Sequence, residues 1–262
     1  MLEVIDKGQT SEKHPVPLLF VHGAWHGAWC WDENFLDFFV ARGFRVLAPS
    51  LRGHGSSATT KSLRMHSIAD YVGDVSSVVD ALPAAPVMVG HSMGGFVVQK
   101  YLEARDAPAA VLMASAPPSG QLGSLLRSIR RHPWLSTKFS LTGRPSDMYS
   151  SLSGARELFF GEKAPDELVE SVANRLQADS LRAIMFDMVA GNLVDTQKVN
   201  TPMLVTGAEG DQIYVMGDVR RTAEAHGVEP VFFPGMGHEM MLDTGWRGVA
   251  EFIESWLGSS GL

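Results

Sequence analysis

Apolar and polar positions along this chain switch repeatedly between two periods. Short runs rich in Val, Leu and Phe at 16–22, 44–48, 87–90, 109–114, 202–206 and 228–233 read as buried strands, with a weaker edge strand around Val4. Between them apolar residues recur every three or four positions, which predicts helices at about 31–41, 66–82, 96–105, 215–226 and 246–257. Gly43 stops the first of these and Pro83 the second. Strands separated by helices predict a mostly parallel sheet covered on both faces, the α/β class.

The alternation lapses after Pro117-Pro118. Up to about Val199 no run has strand character, and helical candidates at 123–131, 146–160, 165–177 and 180–190 follow one another instead. The chain therefore divides into an α/β core of residues 1–116 and 200–262 and a helical insertion of residues 117–199, expected to lie over the sheet as a cap.

Composition changes this picture mainly by exclusion. A length of 262 residues suits one large domain with an insertion. The formal net charge of −7 argues against a nucleic-acid partner. No apolar run approaches the ~20 residues that span a bilayer, and Met1-Leu2-Glu3 does not open a signal peptide. Cys30 is the single cysteine, so neither an internal disulfide nor a cysteine metal cluster is expected, and a cytoplasmic location fits. No metal-ligand spacing stands out, and no cofactor is called for. The expected partner is a small-molecule substrate; oligomeric state is not legible.

Chemistry concentrates at Gly90-His91-Ser92-Met93-Gly94, a G-x-S-x-G sequence between a predicted strand and a predicted helix. A turn that sharp puts Ser92 near positive φ and requires glycines at 90 and 94, where Cβ atoms would collide. A serine hydroxyl is a weak nucleophile and needs an adjacent base oriented by a third group. Of the downstream histidines, His132 lies in the insertion and His226 ends a polar helix. His238, in the loop Pro234-Gly235-Met236-Gly237-His238 just past a strand, is the expected base. Asp211 is the first choice of acid, with Glu209 and Asp218 as alternatives. An oxyanion needs two N–H donors. Met93 should supply one, and Ala24, or less plausibly Trp25, the other. His22 and His26 read as imidazoles that hold this loop through backbone hydrogen bonds, and the 52–57 loop as shaped rather than catalytic.

These motifs resemble the α/β-hydrolase superfamily over nearly the whole chain. The resemblance rests on His22-Gly23, Arg52-Gly53-His54-Gly55-Ser56, Gly90-His91-Ser92-Met93-Gly94-Gly95, the loop from Gly207 to Ile213, and Gly237-His238. Val21-His22-Gly23-Ala24-Trp25-His26-Gly27-Ala28-Trp29 is similar to the plant branch of methyl-ester esterases and hydroxynitrile lyases. It implies an α/β-hydrolase fold, a Ser92–Asp211–His238 triad, and Ala24 and Met93 as oxyanion donors. One departure concerns the acid, which commonly falls three residues after the loop glycine, whereas Asp211 falls four after Gly207.

The function expected is a serine hydrolase that cleaves a small apolar carboxylic ester, or a related thioester, lactone or amide, through an acyl-enzyme. Related lyases carry Lys directly after the catalytic His, where this chain has Glu239, whose charge would oppose an anionic leaving group. Cofactor-independent dioxygenases, carbon–carbon hydrolases and ligand-binding receptors share the fold and stay open. Trp25 and the bulky insertion residues Trp134, Phe139, Met148, Phe159, Phe160, Met185, Phe186 and Met188 are expected to contribute an apolar substrate pocket above Ser92.

Overall fold

The computed structural model describes residues 1–262 and contains one seven-stranded sheet. Its strands are β1 (Val4–Lys7), β2 (Leu18–Val21), β3 (Val46–Pro49), β4 (Val87–His91), β5 (Ala110–Met113), β6 (Met203–Ala208) and β7 (Pro230–Phe233). They lie in the order β1-β3-β2-β4-β5-β6-β7, with β1 antiparallel and every other pair parallel. The inner strands are buried throughout, as expected for parallel strands covered on both sides. Register brings Val21 opposite Gly90, His91 opposite Met113 and Met113 opposite Thr206. The carboxyl ends of β2, β4, β5 and β6 therefore open onto one edge, where open α/β sheets bind ligands.

Helices cover the sheet: α1 (Trp29–Asp32), α2 (Phe35–Val40), α3 (Ile68–Val79) and α4 (Met93–Leu102) precede β5. The single helix expected at 31–41 is two, because Asn34 leaves the helical region at φ −145°. In α3, Ser67 and Asp70 form a reciprocal capping box, which starts the helix two residues later than its apolar period suggests.

Between β5 and β6 the chain forms helices only: α5 (Leu122–Arg131), α6 (Pro133–Thr142), α7 (Leu152–Phe159), α8 (Asp166–Ala173) and a π-helix at Ala183–Gly191. α6 is invisible to periodicity because Trp134, Leu135, Phe139 and Leu141 are scattered around its axis. The π-helix packs near the start of α3, whose Ile68 N–H donates to Asp187 at 2.9 Å. α9 (Met216–Ala225) and α10 (Trp246–Ser259) complete the fold. No helix is long and apolar enough to cross a membrane.

Candidate active site

β4 ends at His91, and α4 begins at Met93 rather than three residues later, so Ser92 alone makes the turn. Its φ of 55° and ψ of −119° lie where a side chain is strained. The chain holds it there from both sides. The Ser92 N–H donates to Met113 O at 3.1 Å, and Ser92 O accepts from Ala116 N at 3.2 Å. A Cβ at Gly90 would stand 2.7 Å from Gly94 O, and one at Gly94 would stand 2.3 Å from Val21 O. The same crowding extends to Gly95, against Ser115 Oγ at 2.4 Å, and to Gly23, against Ser92 Cβ at 2.9 Å. Four glycines, not two, let the backbone layers meet.

Ser92, His238 and Asp211 meet at the carboxyl edge of the sheet. His238 Nε2 lies 3.0 Å from Ser92 Oγ, and His238 Nδ1 lies 2.8 Å from Asp211 Oδ2. The other Asp211 oxygen accepts from the N–H groups of Ile213, 2.7 Å away, and Tyr214, 3.0 Å away. Those bonds fix the carboxylate and assign the proton on His238 to Nδ1, leaving Nε2 to accept from the serine hydroxyl. Burial works against a charged His238, yet the Asp211 carboxylate outweighs it and raises the imidazole above its usual range. The elbow residue His91 also contributes: its Nε2–H donates to His238 O at 2.9 Å, and burial pushes its own pKa far down. Sequence spacing does not reveal that contact.

The alternatives point elsewhere. Glu209 is exposed, and the Asp218 carboxylate is taken by Arg127 and Arg221. His132 is exposed, and His226 pairs with Gln99 Oε1 at 3.0 Å. The extra residue after Gly207 is absorbed by β6, which continues through Gly207 to Ala208.

The loop after β2 is gripped at two successive peptide units. Gly23 O accepts from His22 Nδ1 at 2.7 Å, while His22 Nε2 accepts from Leu51 N at 2.9 Å, which fixes the tautomer. Burial, then the neighbouring His54, lowers His22 to about 3, so the ring stays neutral. With its carbonyl held, the Gly23–Ala24 peptide turns the Ala24 N–H the opposite way, and that N–H has no acceptor within the protein. In the next peptide, Ala24 O accepts from His26 Nδ1 at 2.8 Å, and the Trp25 N–H donates to Asp179 Oδ2 at 2.9 Å. Trp25 N–H is thus committed and cannot serve as the oxyanion donor; Ala24 and Met93 keep that role open. Trp25 itself sits at φ 69°, a second strained residue beside Ser92.

Comparison with known proteins accords with this architecture. Residues 18–252 match the model of the alpha/beta hydrolase family. The chain belongs to the alpha/beta hydrolase family. It is 38% identical over 112 residues to a non-heme chloroperoxidase of Burkholderia pyrrocinia, a stretch covering 40% of this chain and 39% of that protein. The chain thus aligns with about two-fifths of that relative's length. It is 28% identical over 162 residues to methylesterase 1 of Arabidopsis thaliana, 58% of each chain. A thermophilic esterase from Thermogutta terrifontis superposes over 100% of this chain and 94% of its own with a TM-score of 0.75, at 19% identity, which speaks to the fold.

In this alpha/beta hydrolase the space at Ser92 is small, about 30 Å³. Of the pocket residues expected from sequence, only Trp25 and Met188 line it. Gln121, Ile184, Ile213 and Tyr214 also do, and none announces itself by type. Trp134 and Phe186 are exposed at 74% and 63% and face solvent instead. Phe139 and Phe159 are buried edge-on against Trp25, with ring centroids 5.8 and 6.0 Å away, so they back the pocket wall rather than form it. Met148 lines a separate cavity of 510 Å³ with α5 residues, and Phe160 lines another of 630 Å³ beside Met236. Met185 is half-buried against the core. Bulky residues in a helical layer pack on the core behind the pocket or turn outward, so residue type alone does not place them at Ser92.

Proposed function

We propose that this chain is a serine esterase that cleaves small carboxylic esters through an acyl-enzyme. The observation that carries the reading is the unbroken line from Ser92 Oγ to His238 Nε2 at 3.0 Å and from His238 Nδ1 to Asp211 at 2.8 Å. Ser92 attacks the ester carbonyl as His238 takes its proton. The tetrahedral oxyanion is stabilised by the N–H groups of Ala24 and Met93, the latter at the positive end of α4. His238 then protonates the leaving alkoxide, and a water activated by the same imidazole releases the acid.

Residues 117–199 act as a cap in this reading. It is supported by Gln121, Ile184 and Met188, which close the cavity over Ser92. A cavity of about 30 Å³ favours short acyl groups, and larger ones require the cap to shift. Glu239 argues against the lyase: its carboxyl is buried 3.3 Å from His26 Nε2 and offers no cation to an anionic leaving group. The lone, buried Cys30 fits the cytoplasmic location in this proposal.

The test is labelling by a fluorophosphonate together with turnover of p-nitrophenyl acetate. Both should vanish in Ser92→Ala while the fold survives. Turnover that persists in that variant overturns the reading.

A further inference from the structure

α5 is an amphipathic helix docked with its polar side inward. Ser124 Oγ donates to Ile213 O at 2.6 Å, and Arg127 reaches both Ile213 O, 3.1 Å away, and Asp218. Ser128 meets Ser136 of α6 at 3.1 Å, and Arg131 donates to Gln212 Oε1 at 2.5 Å. These four residues share one face at helical spacing. The opposite stripe carries Leu122, Leu126 and Ile129, exposed at 48%, 45% and 41%. α5 has no buried residue and contributes nothing to the hydrophobic core. On the adjoining α6, Trp134 and Leu141, seven positions apart on one face, are exposed at 74% and 67%. Scattered exposed apolar residues are ordinary, but a helix that turns its whole apolar stripe to water marks a surface meant to be covered.

Charge selects what covers it. The stretch Leu122–Thr142 holds no acidic residue; of its cations, Arg127 and Arg131 lie on the inward face, paired with Asp218 and Glu157, and Lys138 pairs with Asp147 at 3.1 Å, which leaves Arg130. Arg130, beside the apolar stripe, forms no salt bridge. An apolar stripe flanked by free cation and exposed tryptophan matches the boundary of an anionic bilayer, where the indole sits at headgroup level and arginine pairs with lipid phosphate. A second copy meeting this face symmetrically would bring cations against cations.

We infer that the α5–α6 face docks this protein on anionic membrane surfaces. Gln121, the residue just before α5, lines the Ser92 cavity, so docking would set that cavity beside a reservoir of apolar esters. The inference goes beyond the esterase reading, and its binding assay does not depend on that reading.

The experiment is co-sedimentation of the full chain with phosphatidylcholine vesicles, with and without phosphatidylglycerol, at low and raised salt. The expected result is binding that requires phosphatidylglycerol and weakens with salt. Leu126→Glu with Ile129→Glu should weaken it about tenfold or more, since each places a charge where an apolar side chain would be buried. Both sites are exposed, so thermal unfolding should be unchanged; Leu126→Ser with Ile129→Ser, carrying no new charge, serves as the second variant. Three results overturn the inference. They are failure to bind phosphatidylglycerol vesicles, binding that both double variants retain in full, and self-association without vesicle binding that the variants abolish.

Discussion

Asp179→Asn tests whether the loop bearing the Ala24 N–H is positioned from the helical layer. Asp179 lies after α8, is fully buried, and has four donors on two oxygens. One oxygen faces Trp25 N at 2.9 Å and His54 Nε2 at 3.1 Å; the other faces Tyr71 Oη at 3.0 Å and Ser180 N at 2.5 Å. Asparagine replaces one of those oxygens with an NH₂ group. Turned either way, it sets that group against a backbone N–H that cannot rotate, Trp25 or Ser180. A buried donor without a partner costs about 1–3 kcal/mol, and the charge-assisted bonds to the carboxylate are lost as well, so stability should fall by ~2–4 kcal/mol. The loop carrying Ala24 is then free to move, and a displacement near 1 Å costs on the order of 10²-fold in rate. That loss should appear in kcat on p-nitrophenyl acetate with KM little changed, and a boronate analogue of the tetrahedral state should lose affinity in step. A folded variant whose kcat and boronate affinity both match the parent would refute the reasoning.

The same pair makes stability depend on pH. Burial opposes charge on both groups, but Asp179 raises His54 while His54 lowers Asp179, so the Tm gap between parent and Asp179→Asn should be widest above about pH 4 and up to about pH 6.5. It should shrink as pH rises through the folded pKa of His54 and as it falls through that of Asp179. Asp211→Asn should cost about 10³–10⁴-fold in kcat and lower the acid limb of the rate profile, since the carboxylate that most raises His238 against burial is then lost; Glu209→Gln should change little. Gly94→Ala should yield insoluble or inactive protein, because its Cβ would stand 2.3 Å from the Val21 carbonyl. Across nitrophenyl esters, kcat/KM should fall beyond short acyl chains, and a flat profile would show that the cap does not limit the cavity.

The parts of this molecule that follow local rules were legible in the chain itself. The mostly parallel sheet, the elbow at Ser92 and the loop position of His238 each rest on a short pattern whose physics is local: continuous apolar runs, paired glycines, a turn after a strand. Helix ends were less legible, since Ser67 and Asn34 act through single dihedrals and caps that apolar periodicity does not register. The pocket was poorly legible. Gln121 and Tyr214 bond each other at 2.7 Å from positions 93 residues apart, and no local pattern pairs them. Trp134 looks like a pocket residue in sequence and proves to be a surface one because α6 turns it outward.

Asp179 and Glu239 raise a question of economy, because both are buried carboxylates outside the Ser92–His238–Asp211 line. Burying a charge costs several kcal/mol even when it is paired, so neither is explained by stability alone. Their positions suggest a shared reason. Asp179 takes the N–H of the Ala24–Trp25 peptide, and Glu239 lies 3.3 Å from the imidazole that holds the carbonyl of that same peptide. Burial pushes the Glu239 carboxyl up, and its Oε2 stands 3.3 Å from His26 Nε2 without a hydrogen bond, while His26 Nδ1–H donates to Ala24 O at 2.8 Å. A peptide unit gripped at both ends cannot flip, and the strained φ at Trp25 is sustained by that grip. Glu239 follows His238 directly in the chain, and Asp179 comes from the helical layer. Through Asp179 the helical layer thereby constrains the loop that carries the free Ala24 N–H beside Ser92.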